Sequence, residues 1–388
     1  MDIDRYADTP FGRPQRTSGM HGYVAYLPRP IPRSLDLDGH VVRALADAES
    51  ALGRLAGAGR LLTYPHLLVG PYLRREAVSS ARIEGTQASL VDVFEAEADE
   101  RPLNADLEEV VNYLRAMNAG LDRLATLPLS IRLVREMHAV VLDGVRGRER
   151  QPGELRTSQN WIGHPGATLD EAAFVPPPPD EMGALLTDWE RFVHDGSDLP
   201  PLIEAALLHY QFETIHPFLD GNGRLGRLLI VFFLVLRDRL PYPLLYLSPY
   251  FEARRDEYYA RLQAVREEGD IEGWLTFFLD GVEVQSTDAL HRAERLTDLR
   301  EVYRARVQEA YRSKAIVLLE VAFEQPILTT RIVERRLDVS RPSSLRLLRQ
   351  LEELEILVEA PTGLRGQHRW RAPAILDVLA SDMPSDQG

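Results

Sequence analysis

Residues Glu213 to Arg227 read Glu-Thr-Ile-His-Pro-Phe-Leu-Asp-Gly-Asn-Gly-Arg-Leu-Gly-Arg, and the apolar run Leu228 to Leu236 follows at once. No other stretch restricts the fold so tightly. Pro217 disfavours the helical region for His216, so a helix arriving from the N-terminal side must stop there. Gly221 and Gly223 permit positive φ and let backbone N–H groups come close to an anion. A helix starting near Arg224 would aim its positive end at the same point. Arg224 and Arg227 are three residues apart, which puts both guanidinium groups on one face where they can clamp phosphate oxygens. Asp220 offers the hard oxygen ligand that a phosphate-bound magnesium ion takes. His216 is a side chain able to accept a proton near neutral pH. The stretch describes a polyphosphate site between two helices.

Gly221-Asn-Gly-Arg-Leu-Gly226 also satisfies the dinucleotide fingerprint G-x-G-x-x-G. That fingerprint needs a strand before it. Leu202, Ala206 and Tyr210, with Ile203 and Leu207 beside them, have helical spacing instead. The P-loop form is absent. The full run His216-Pro-Phe-Leu-Asp-Gly-Asn-Gly-Arg-Leu-Gly-Arg227 resembles the signature of the Fic family, His-Pro-Phe-x-Asp/Glu-Gly-Asn-Gly-Arg-x-x-Arg, with no departure. The resemblance implies a nucleotidyltransferase that moves AMP from Mg-ATP to a Ser, Thr or Tyr hydroxyl of a target protein. His216 would be the general base and Asp220 the Mg2+ ligand. Phe218, Gly221, Asn222, Gly223, Arg224 and Arg227 would line the nucleotide site, with Arg227 on the γ-phosphate.

Upstream, Ser79-Ser80-Ala-Arg-Ile-Glu84-Gly85-Thr86 reads by itself as an ordinary helix end with a glycine cap. Beside the signature, Ser80-x-x-x-Glu84-Gly85 resembles the inhibitory motif on an N-terminal helix of many Fic proteins, where the glutamate pairs with the second signature arginine. Downstream, Tyr258 and Tyr259 match the paired tyrosines that many members place near adenosine. Arg266 stands where some members have an asparagine on the base. The nucleotide preference therefore stays open.

Around this centre the expected fold class is mainly α. A Fic-type helical bundle with a β-hairpin flap would be followed by a small winged-helix (α+β) unit, an appendage known on bacterial Fic proteins. Residues up to about Leu35 read as an extended lead-in, and Asp36–Gly57 as a helix ended by Gly57 and Gly59. A second helix is expected to begin after Pro71. Two more lie between Asp106 and Val145, the second carrying His138 as a packed histidine. Gly153–Gly163 and the Pro165-Gly166 turn, with extended pieces Asn160–Ile162 and Ala173–Val175, stand where the family's target-docking flap would be. Helices follow at Asp180–His194, Leu202–Ile215 and Arg224–Arg237, and Glu283–Glu309 is a charged connecting helix. Towards the C-terminus the expectation is helices around Ile316–Phe323, Ile327–Leu337 and Ser340–Leu354, then strands Ile356–Val358 and His368–Trp370 about Gly363 and Gly366. Arg341, Arg346 and Arg349 lie on or near the third helix, and Arg365, Arg369 and Arg371 in the wing. Tyr311–Ala372 carries 11 Lys/Arg against 8 Asp/Glu, so DNA contact and protein contact are both open. The domains read as 1–105, 106–300, 301–375 and a tail, 376–388.

The chain has 388 residues, 45% of them hydrophobic, a formal charge of −14 and no cysteine. That excludes disulfides and thiolate chemistry, and it argues against broad binding to nucleic acid or anionic membranes. No segment reaches the roughly 20 apolar residues that span a bilayer, and Met1-Asp-Ile-Asp-Arg-Tyr is no secretory signal. A cytoplasmic protein, open to homodimer formation, is the expectation. Two rival functions remain. One is a DNA-binding regulator whose core only senses nucleotide. The other removes AMP from a modified protein, with Glu84 positioning water.

Overall fold

A buried helical hairpin lies at the centre of the computed structural model, which describes residues 1–17, 22–61, 66–99, 103–144, 150–164, 166–311, 314–360 and 368–381. In chain order, a two-stranded antiparallel ribbon, β1 (Gly12–Arg16) and β2 (Val24–Pro28), leads into α1 (Gly39–Leu61), α2 (His66–Ile83) and α3 (Leu90–Asp99). Next come α4 (Ala105–Leu124), α5 (Ile131–Val141), α6 (Met182–Asp195), α7 (Pro201–Ile215) and α8 (Asn222–Leu236). Two shorter helices, α9 (Ser248–Ala253) and α10 (Arg255–Glu268), precede the long α11 (Ile271–Ala310).

α7 and α8 are apolar on nearly all sides, and nearly every residue of both is buried, as expected of helices at the centre of a domain. Trp189 of α6 and Trp274 of α11 each donate an indole N–H to an α7 carbonyl, those of Leu208 and Ala206, at 3.0 Å. α4 and α5 pack on α8, and α2 packs between α4, α9 and the C-terminal helices.

The C-terminal unit runs α12 (Ala315–Glu324), β3 (Ile327–Leu328), α13 (Thr330–Leu337), α14 (Arg341–Glu353), β4 (Val358–Ala360), β5 (Arg369–Arg371) and α15 (Pro373–Ala380). Its strands form an antiparallel sheet in the order β3-β5-β4. Hydrogen bonds and charge tie it to the N-terminal helices. Gln325 Nε2 donates to the Phe94 carbonyl at 3.0 Å. Arg369 pairs with Asp99 and, at 3.3 Å, with Glu95, while Arg371 also meets Glu95. Arg369 and Asp99 are almost wholly buried. Truncating one partner of such a pair leaves the others as uncompensated buried charge, so Arg369→Ala should destabilise the fold by about 3–5 kcal/mol. Urea unfolding would measure it, and a loss under about 1 kcal/mol would contradict the assignment.

Several expectations need correction. The lead-in is a paired ribbon whose Ala25 and Tyr26 are fully buried. α1 continues through Gly57 and Gly59, because Gly59 faces Pro241 and Leu244 so closely that a larger side chain would crowd them. α2 starts before Pro71 and contains it. Only the hydrogen bond near the start of the helix is lost to the ring. α3 has no counterpart in the sequence reading. Ile327–Leu328 is a strand, since it pairs with Arg371 and Trp370 of β5. α15 continues past residue 375 with Ile375, Leu376, Val378 and Leu379 buried, so a tail cannot begin at 376. Residues 382–388, Pro165 and the wing segment with Gly363, Arg365 and Gly366 lie outside the described residues.

Candidate nucleotide site

α7 ends on His216, which holds φ 49° and ψ 61° in the left-handed region and closes the helix by donating its N–H to the Phe212 carbonyl at 2.9 Å. A non-glycine residue rarely adopts this conformation without help from its surroundings. The turn then knits itself together. Asn222 accepts from the Phe218 N–H at 2.9 Å and donates to the Phe218 carbonyl at 2.8 Å. The Phe218 ring is buried and stacks on His138, with centroids 3.8 Å apart. Phe218 and Asn222 therefore build the turn, and their side chains do not face outward. His138 accepts from the Gly153 N–H at 2.8 Å and sits 3.0 Å from the Asp220 carbonyl. Burial lowers its pKa to about 4, so it is a neutral, packed histidine, in accord with its reading from sequence.

Gly221 takes φ 77° and starts α8 without a side-chain cap, leaving the first-turn N–H groups and the helix dipole for an anion. That position already has a negative occupant. The Glu84 carboxylate lies where a Cβ on Gly223 would be, and Glu84 Oε1 accepts from Arg227 at 2.8 Å. Arg227 also donates to Ser80 Oγ at 2.9 Å and to the Ser80 carbonyl at 2.8 Å. Gly85, at φ 102°, lets the chain turn directly after Glu84. Burial alone would raise the Glu84 carboxyl. Arg227, reinforced by Arg224, more than reverses this and holds it below the ordinary range. Burial would likewise lower Arg227, but Glu84 carries it above its usual value. Glu84 is ionised and about one-third exposed.

Arg224 is buried, 3.4 Å from Glu109 and 3.6 Å from Asp220. Glu109 also accepts from Thr86 at 3.3 Å, so a carboxylate on α4 joins the residue after Gly85 to Arg224. Asp220 is 43% exposed. No group of three His, Asp or Glu that could hold a metal exists among the described residues. A magnesium ion fits here on Asp220 with substrate phosphates and water, the usual way Mg2+ is bound.

His216 is half-buried, and Arg156 from the segment after α5, Arg266 of α10, Glu84 just beyond α2 and the Glu213 backbone of α7 act on it. Burial, then the Arg156 and Arg266 cations, lowers its pKa to about 4, which leaves a neutral imidazole free to accept a proton. Arg156 and Asn160 both donate to its carbonyl, at 2.9 and 3.4 Å. Across the turn lies a single antiparallel bridge, Ile162 with Phe174. On it Trp161 is 43% and Ile162 36% exposed. The two tyrosines separate: Tyr258 is buried in an aromatic core, bonded to His209 at 2.8 Å, while Tyr259 is 39% exposed. Arg266 lies 3.9 Å over the Phe174 ring and donates to Thr214 Oγ1 at 3.2 Å. It braces the bridge segment.

Two family models match the chain, the Fic/DOC family N-terminal region over residues 42–122 and the Fic/DOC family proper over 128–234. Residues 42–122 and 128–234 thus carry the N-terminal and Fic domains of the Fic/DOC family. It is 29% identical over 252 residues to a protein named protein adenylyltransferase Fic from Drosophila willistoni, covering 64% of this chain and 45% of the relative. The namesake in Drosophila virilis is also 29% identical, with coverage of 64% and 47%. The chain thus spans about half the length of these curated relatives. Among solved structures, a Fic family protein from Desulfovibrio desulfuricans G20 superposes with a TM-score of 0.58 at 21% identity, over 89% of this chain and 98% of that one. Fic-1 from C. elegans gives 0.50 at 22%, over 66% and 73%. These likenesses concern the fold alone.

Glu109, Thr86, Arg156 and Asn160 had no signal in the sequence. Each acts through contacts with residues far along the chain, which no local spacing reveals.

Proposed function

We propose that this chain is an autoinhibited protein adenylyltransferase, which transfers AMP from Mg-ATP to a hydroxyl of a target protein. The observation that carries this reading is the Glu84 carboxylate, seated on Arg227 and over Gly223 where the triphosphate tail would lie. In the reaction His216 accepts the proton of the target hydroxyl. The hydroxyl oxygen then bonds to the α-phosphorus, the bond to the bridging oxygen breaks, and pyrophosphate leaves. N–H groups at the start of α8, with Arg224 and Arg227, stabilise the charge that develops. Mg2+, when bound through Asp220, neutralises phosphate charge. The Trp161–Ile162 segment would receive the target by strand addition.

The domain reading proposed is an N-terminal region with the inhibitory helix (1–105), a catalytic core (106–300) and a winged-helix unit from 301. α14 would take the recognition position, with Arg341, Arg346 and Arg349 exposed on it. A DNA affinity falling steeply with salt would assign that face to nucleic acid. Arg369 and Arg371, which already meet acids of α3, favour an internal role for the wing. A cytoplasmic location is proposed; no helix among the described residues is long and apolar enough to cross a membrane.

Incubating Glu84→Gly protein with ATP labelled at the α- or the γ-phosphate tests the reaction class. Protein-bound α-label without γ-label is expected. Bound γ-label would instead indicate phosphoryl transfer. A second reading, removal of AMP, draws on the ionised, partly exposed Glu84 beside His216, a pair able to orient water. Release of AMP from a labelled target, lost in Glu84→Gly, would favour it.

A further inference from the structure

We infer that Arg156 is the positioning residue of this site, fixing the left-handed turn that aims the His216 imidazole and joining that turn to the base of the flap. The inference deepens the adenylyltransferase reading and rests on it. Residue 156 grips three consecutive carbonyls: its side chain donates to Ile215 at 3.3 Å and to His216 at 2.9 Å, and its backbone N–H donates to Pro217 at 3.0 Å. The same guanidinium reaches Pro177, where the chain leaves the flap, at 2.6 Å, and Ser158 at 3.4 Å. Arg156 is 1% exposed, and all its hydrogen-bond partners among the described residues are carbonyl oxygens. A buried cation with no carboxylate partner is expensive, and only Arg has the forked, planar donors to serve several carbonyls at once.

The arrangement explains how His216 keeps a strained backbone conformation. With carbonyls 215, 216 and 217 fixed, the peptide planes on both sides of His216 cannot rotate. Arg156 also acts electrostatically, as one of the charged groups facing the imidazole. The others are Arg266 on α10 and Glu84 at the end of α2, with the backbone of Glu213 on α7. Burial lowers the Arg156 pKa to about 10, so it is charged at neutral pH.

The test uses full-length Glu84→Gly protein with Mg-ATP as parent, adding Arg156→Lys or Arg156→Gln. Lysine keeps the cation but cannot serve the set of carbonyls. It should lower kcat about a hundredfold, the cost of an ångström-scale misplacement, with KM for ATP within about threefold and the acid limb of the pH profile in place. Glutamine should cost as much and also move that limb, and the His216 titration seen by imidazole NMR, to higher pH. A kcat within threefold of the parent in Arg156→Lys, or a loss lying entirely in KM, would overturn the inference. If the parent transfers nothing, the adenylyltransferase reading fails, and the NMR titration decides alone. An upward shift in Arg156→Gln relative to Arg156→Lys then supports the assignment, and identical titrations refute it.

Discussion

Glu84→Gly should raise the rate of AMP transfer on the order of tens to a hundredfold over the unaltered protein, the size of a coupling worth about 1–3 kcal/mol. The substitution removes a carboxylate from the only direct ion pair of Arg227 among the described residues and clears the space over Gly223. Arg227 should keep its place, because Ser80 holds it by two further hydrogen bonds from α2. What changes is what the guanidinium can bind. With Glu84 present, an incoming triphosphate must displace an ionised group that shares its sign; with glycine the guanidinium is open to phosphate oxygens. Initial rates at Mg-ATP well below saturation, where kcat/KM is read, measure the effect. A rate within twofold of the unaltered protein would mean that the Glu84–Arg227 pair does not limit the reaction.

His216→Ala, made in the Glu84→Gly protein, should lower transfer by about 10²–10⁴-fold, the usual contribution of a positioned general base. ATP binding should change little, since the groups assigned to the phosphates lie at the start of α8 and on Arg224 and Arg227. With Glu84 present burial holds the His216 pKa at about 4, and removing that carboxylate, which raises it, takes it lower still. The imidazole is neutral and competent above that value, so activity should fall only as the pH drops through it. Calorimetry with ATP beside a transfer assay separates the two effects. Loss of ATP binding together with transfer would give His216 a structural role in the turn.

The centre of the molecule was legible because its information is local. Pro217, Gly221, Gly223 and the two arginines each specify a backbone state or a face over a few residues, and the structure joins them with Ser80 and Glu84 as the paired motifs implied. What could not be read depends on distant partners. α3 is short and acidic, and its start is fixed by a reciprocal cap in which Ser89 and Asp92 exchange hydrogen bonds. Its burial comes from α2, α4 and the C-terminal unit. Ile327–Leu328 is a strand only because β5 lies beside it, and Tyr258 and Tyr259 differ in exposure because the aromatic core takes one ring and not the other. Arg156 looks like any loop arginine until the Ile215–Pro217 turn is folded against it.

The most direct test is intact-mass measurement of the unaltered protein, Glu84→Gly and Glu84→Gly/His216→Ala after incubation with Mg-ATP and a cell extract or the protein itself as acceptor. Added AMP in the Glu84→Gly reaction, with little in the other two, is the predicted result. Equal modification in all three, or none in any while ATP is bound, would contradict an autoinhibited transferase that works through His216.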